Sequence, residues 1–139
     1  MRMVLYSDGG ARGNPGPAAF AVVACKEDGF VLYEKAECIG VATNNEAEYR
    51  GLIAAINMAA SYGAQEAEFV MDSELVIKQM RGEFRVKAPN LRRLRDDAMA
   101  LSGEIPKVRY RHVRRDDPMI TRADALLNAA LDGKSALEM

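Results

Sequence analysis

The feature that most constrains the fold is a change of period at Thr43-Asn44-Asn45-Glu46. A threonine three residues before a glutamate forms a capping box. The hydroxyl takes the free N–H groups of a first helical turn and the carboxylate reaches back to the cap. Beyond it, Tyr49, Leu52, Ile53, Ile56, Ala59 and Ala60 recur every three or four residues, the apolar stripe of a helix that Gly63 ends. Upstream there is no such stripe. Residues 4–7 read as a strand, and the glycines and prolines of residues 9–17 argue against both helix and strand. Residues 18–25 and 30–39 are apolar and β-prone, and Asp28-Gly29 between them is a hairpin signal.

Downstream, strands and helices alternate. Residues 68–71 form a strand that runs into Asp72-Ser73 and a short helix over 74–80. A basic loop, 82–89, leads to a helix capped by Asn90, with Leu91, Leu94, Ala98 and Leu101 inward. Residues 106–113 alternate as a partly exposed strand, 114–121 read as a polar loop, and 122–131 form a last helix. An antiparallel meander followed by alternating elements demands an α/β fold: one mixed sheet with helices on its faces. The 139 residues contain no repeat or linker, so a single domain over 1–139 is expected.

Composition removes several function classes. No run approaches the ~20 apolar residues of a spanning helix, so no membrane partner is expected. The N-terminal stretch lacks a secretory h-region, which predicts a cytoplasmic protein. Cys25 and Cys38 are too few for a disulfide scaffold, and the hairpin register sets them far apart. His112 is the only histidine, which leaves little basis for a zinc site or a His-containing dyad. The net charge of −1 hides an asymmetry: residues 1–77 carry five basic and eleven acidic side chains, residues 78–115 twelve basic and four acidic. Such a local excess fits a polyanion, and equally a solvated face.

Four carboxylates each border an apolar element. Asp8 follows Val4 and Tyr6 on one face of the first strand, and Asp72 closes the strand before it. Glu48 continues the row of Leu52, Ala55 and Ala59, and Asp124 falls in the first turn of the last helix. Singly, each has a structural explanation: a turn residue for Asp8, first-turn acids for Glu48 and Asp124, an N-cap for Asp72. Glu46 is assigned to the capping box. Gathered at one sheet edge, the four would repel unless a cation joined them. Oxygen-only ligation suits Mg²⁺ or Mn²⁺, and two such ions are the clamp for attack of water on a phosphodiester. Spacing alone leaves open whether the four meet.

Ser7-Asp8-Gly9-Gly10 with Gly13-Asn14-Pro15-Gly16, Thr43-Asn44-Asn45-Glu46-Ala47-Glu48, Asp72-Ser73 and Arg122-Ala123-Asp124-Ala125-Leu126 together resemble type 1 ribonuclease H over essentially the whole chain. The resemblance implies a five-stranded mixed sheet of order 3-2-1-4-5, with Asp8 and Asp72 on adjacent parallel strands. It implies Asp8, Glu48, Asp72 and Asp124 as catalytic acids and ligands of two Mg²⁺ or Mn²⁺ ions. The activity implied is endonucleolytic hydrolysis of the RNA strand of an RNA/DNA hybrid, leaving 5′-phosphate and 3′-hydroxyl ends. The 2′-hydroxyl is the group by which a site can tell the strands apart. Gly9, Gly10, Ala11, Asn14, Asn44 and Asn45 are then expected at the minor groove, with Thr43 on a DNA phosphate; Asn44 and Asn45 also fit as helix-start residues. A monomer with no obligate protein partner is expected.

Two departures from the family pattern stand out. The long basic protrusion of many bacterial members is reduced to residues 82–89, where Arg85 and Lys87 with Phe84 are expected to form a smaller hybrid-binding patch. Phe84 serves there either as a stacking surface or as a plug under the loop. The loop before Asp124 also lacks the histidine of many relatives; Arg114, or otherwise Arg115, is expected to hold product phosphate without shuttling protons. Lower turnover follows from that exchange, and His112 is expected to be structural. Rival readings are a hybrid-binding module without catalysis, a junction resolvase or exonuclease on the same sheet, and a protein-interaction domain with a basic face.

Overall fold

The computed structural model describes residues 1–133; the expected single domain extends to 139, and residues 134–139 lie outside the described part. Its elements are β1 (Arg2–Ala11), β2 (Gly16–Lys26), β3 (Val31–Ala42), α1 (Asn44–Ser61), β4 (Glu66–Met71), α2 (Glu74–Met80), α3 (Pro89–Ser102), β5 (Lys107–His112) and α4 (Pro118–Leu131). One sheet holds all five strands in the order β3-β2-β1-β4-β5. β1, β2 and β3 pair antiparallel, and β4 joins β1 and β5 in parallel. The mixed α/β sheet and its order are those expected.

The two faces are covered unequally. Met3, Leu5, Phe20, Val22, Phe69 and Met71 point to the side covered by α1, α2 and α3, where Leu52, Ile56, Ile77 and Leu91 meet them. Ala19, Ala21, Val23 and Cys25 point the other way, against Ala123 and Leu127 of α4. β2 is therefore buried on both faces, which is why its sequence is one unbroken apolar run rather than an alternation. The hairpin turns at Gly29, whose φ of +92° suits a residue without Cβ. Its register puts Cys38 opposite Ala19 and Cys25 opposite Val31, so both thiols are free.

Several boundaries differ from the sequence expectation: β2 begins at Gly16 rather than 18, and β3 runs to Ala42 rather than 39. β1 does not stop before the glycines: Gly9, Gly10 and Ala11 continue it, paired with Phe20, Ala19 and Ala18. The ladder to β2 outweighs the low strand propensity of glycine there. β4 begins at Glu66, two residues early. α3 starts at Pro89 with Ala88 as its cap and no side-chain cap bond, so Asn90 lies inside the first turn. α4 starts at Pro118, capped by the Asp117 carboxylate, which accepts from the N–H groups of Met119 and Ile120. Asp124 consequently sits in the second turn of α4 and not the first, and the preceding loop is short.

Candidate active site

The site forms where β1, β4, α1 and α4 come together. In the parallel register Tyr6 lies beside Val70, so two residues further on Asp8 comes beside Asp72, just past the end of β4. Ser73 is the N-cap of α2, which leaves the Asp72 side chain free of that task. Glu48 is brought in by contact of α1 with β1. A Cβ on Gly9 would stand 2.3 Å from the carbonyl carbon of Ala47 and 2.6 Å from the Glu48 nitrogen. A side chain is impossible there without moving the helix, and its absence lets the first turn of α1 lie directly on the strand. The capping box expected at Thr43 and Glu46 is formed, with both reciprocal hydrogen bonds.

Carboxylate oxygens of Asp8, Glu48 and Asp72 lie within 4.8 Å of one another. Asp8 is 6% exposed, and one oxygen of Glu48 is buried with no hydrogen-bond partner among the described residues. Burial first, and then the charges of Asp72 and Asp124, push the Asp8 carboxyl up to about 7. Burial, then Asp8 and Asp72, hold Glu48 well above the ordinary carboxylate range. Asp72 is also raised, mainly by burial, with the positive charge of Arg115 acting against it. Three acids that resist ionisation together, one with a buried oxygen that no donor among the described residues meets, form a donor set that a divalent cation fits.

Asp124 is exposed and stands at the rim, outside the tight trio but lining the same cleft of about 340 Å³. Of the two arginines singled out from the sequence, Arg115 lines this cleft. Arg114 does not; it extends into solvent beside Asp116. The amide side chains near the glycines are linked in series: the Ala11 N–H donates to Asn44 Oδ1 at 2.8 Å, and the Asn44 N–H to Asn14 Oδ1 at 3.0 Å. Gly9, Gly10, Ala11 and Asn44 line the cleft. Thr43 and Asn45 are at the start of α1, the first as its cap. Phe84, Arg85 and Lys87 lie on the loop between α2 and α3, away from the cleft lining, and the Lys78 ammonium stands 5.0 Å over the Phe84 ring.

Sequence reasoning passed over two neighbours of the acids, Arg12 and Asn128. Arg12 lines the cleft, pairs with Asp132 at 2.7 Å and donates to the Asn128 carbonyl at 3.3 Å. Asn128 in turn donates to the Asp124 carbonyl at 2.9 Å. Its position one helical turn after Asp124 was a readable signal; the contact of Arg12 across 116 residues was not. A His112 ring nitrogen lies 3.3 Å from the Asp72 carbonyl oxygen, so the structural role expected of this histidine falls beside the site.

Residues 6–130 match a family model described as reverse transcriptase-like. The chain is 47% identical over 133 residues to the bifunctional protein Rv2228c of Mycobacterium tuberculosis, 95% of this chain but 36% of that protein. It therefore spans about a third of the length of that curated relative. The crystal structure of RNase H1 from the halophilic archaeon Halobacterium salinarum superposes with a TM-score of 0.91 at 44% identity, covering 96% of this chain and 99% of that one. LC11-RNase H1 in complex with an RNA/DNA hybrid gives a TM-score of 0.88 at 40% identity, covering 94% and 97%.

Proposed function

This chain belongs to the type 1 ribonuclease H family, and from that premise we propose that it is an endonuclease hydrolysing the RNA strand of RNA/DNA hybrids. The observation that carries the reading is the meeting of Asp8, Glu48 and Asp72 around a buried, unpartnered Glu48 oxygen, with Asp124 at the rim. Those four side chains would hold two Mg²⁺ or Mn²⁺ ions. When bound, such ions polarise the scissile phosphate and lower the pKa of the attacking water.

The chain's own residues account for the rest. Asp8 and Glu48, shielded from water, have their carboxyl oxygens held in fixed positions on β1 and α1, so little reorganisation is needed when charge develops on the phosphate. Asp124, exposed, reaches the side from which solvent enters. Asn14 and Asn44 spend their carbonyl oxygens on backbone N–H groups, which leaves their amide N–H groups to donate to sugar and base edges. The RNA 2′-hydroxyl is the acceptor and donor that DNA lacks. Arg115 holds the product phosphate as a permanent cation and moves no proton. In-line attack of water then leaves a 5′-phosphate and a 3′-hydroxyl. Action as a cytoplasmic monomer belongs to the same proposal.

The test compares cleavage of a labelled RNA strand paired with DNA, single-stranded RNA and duplex DNA, with Mg²⁺ or Mn²⁺ and with chelator. Cutting confined to the hybrid and dependent on the ion is expected. Equal cleavage of duplex DNA would overturn the substrate assignment, and hybrid binding without cutting or ion uptake would make the chain a binding module.

A further inference from the structure

The helix that carries Glu48 is tied to a cationic loop by buried hydrogen bonds that the carboxylate chemistry does not use. Tyr49 is fully buried, and its hydroxyl donates to Oε1 of Gln79 in α2, itself 4% exposed. Gln79 Nε2 donates onward to the Arg85 carbonyl at 3.4 Å. The next carbonyl, that of Val86, accepts from Nε and Nη2 of Arg92 at 3.3 and 3.2 Å, while the Val86 side chain is buried in the main core. At the loop's start the N–H groups of Glu83 and Phe84 both donate to the Lys78 carbonyl. A segment without regular structure is thus held at successive backbone positions from both sides.

Gln79 sits among apolar side chains, where an amide is costly unless its oxygen and nitrogen both find partners. A methionine would fill the same space without that demand. What the amide does, and a methionine cannot, is join Tyr49 to the loop backbone. The two residues flanking the Val86 anchor, Arg85 and Lys87, are exposed, and neither makes an ion pair among the described residues. Holding their backbone in advance removes part of the ordering cost of binding a polyanion.

We propose that Tyr49 and Gln79 are positioning residues that hold Arg85 and Lys87 as a preformed contact for the phosphates of a nucleic-acid duplex. The inference rests on the hybrid-binding part of the reading above. The strut begins one residue after Glu48, so α1 sets that carboxylate and the cationic loop in one frame.

The test is a double-mutant cycle read by fluorescence anisotropy with an RNA/DNA hybrid in EDTA, where nothing is cut, over a range of salt. Arg85→Ala should weaken binding roughly 3- to 10-fold and lower the salt slope by about 1. Gln79→Met should weaken it comparably while leaving Mn²⁺ affinity at the carboxylates unchanged, and in a chain that already carries both Arg85→Ala and Lys87→Ala it should weaken binding no further. Tyr49→Phe, which removes one hydroxyl, should move binding the same way and keeps the test open if Gln79→Met does not fold. Additive losses, full affinity in both Gln79→Met and Tyr49→Phe, or reduced Mn²⁺ affinity in either would overturn the proposal. Cleavage by the unaltered chain is scored separately: coupling without cleavage would retire only the nuclease reading, cleavage without coupling only this one.

Discussion

Asp8 illustrates how one side chain can work against the fold that holds it. It lies in a continuous strand, buried, with the Gly9 N–H as donor at 3.0 Å and two further acids nearby. Its carboxyl, raised to about 7, is partly ionised at neutral pH in a place that resists charge. Asp8→Asn keeps the shape and removes the charge. Without metal it should stabilise the chain by on the order of 1–3 kcal/mol at pH 7, read as a rise of several degrees in Tm. The same variant should lose Mn²⁺ binding and hybrid cleavage; an active, Mn²⁺-binding Asp8→Asn protein would remove the proposed ion site. The arginines separate just as clearly. Arg115→Ala should lower the cleavage rate about tenfold or more, because it removes the cation beside Asp72, whereas Arg114→Ala should leave it nearly unchanged. Spacing from Asp124 favours Arg114 in the sequence, whereas Arg115 lines the cleft, since spacing does not show which side chain turns inward when the helix starts four residues earlier than its polar approach suggests.

Between elements, the decisive joint is α1 on β1. Gly9 meets the Ala47–Glu48 backbone, and a Cβ on Gly51 would stand 3.2 Å from the Asp8 carbonyl oxygen, so the two elements approach through glycine on both sides. Gly9→Ala must therefore push backbone against backbone. A loss of roughly 1–3 kcal/mol is expected, with weaker Mn²⁺ binding because Glu48 moves away from Asp8. Gly10→Ala is the control: its new methyl would meet only Leu127 at 3.9 Å, and denaturant midpoint and ion affinity should stay close to those of the parent. What could be read in advance at this scale depended on whether the signal was local. The Thr43 capping box, the Gly29 hairpin and the stripe of α1 are made by neighbours in sequence, and all formed as expected. The continuation of β1 through Gly9–Ala11 is hidden from local pattern because its cause is the partner strand, and Pro118 reads as loop because the Asp117 cap that makes it a first helical residue also resembles loop chemistry.

For the whole molecule, the sheet order followed from the resemblance, while the element sequence alone required only a mixed sheet with helices on its faces; the meeting of acids from β1, α1, β4 and α4 is a tertiary fact with no footprint in spacing. Its thermodynamic consequence can be measured without any substrate. Asp8, Glu48 and Asp72 all have folded-state pKa values above their ordinary ones, so between those two values the native chain binds more protons than the unfolded chain. Stability from these groups must then fall as pH rises, with the Asp8 contribution lost between about 4 and about 7. Glu46 has the opposite sign: the Thr43 N–H holds its carboxyl low, so its contribution is lost only as pH falls below the ordinary glutamate range. Urea unfolding at pH 5 and pH 8 in EDTA therefore isolates the site, and the chain should be more stable at pH 5. Millimolar Mn²⁺ should raise stability at pH 8 far more than at pH 5, because the ion binds the ionised acids and only in the folded chain. In Asp8→Asn both the pH slope and the Mn²⁺ increment should shrink. Equal stability at the two pH values in EDTA, with no increment from Mn²⁺, would mean that the gathered carboxylates neither repel nor bind an ion, and the catalytic reading would lose its physical basis.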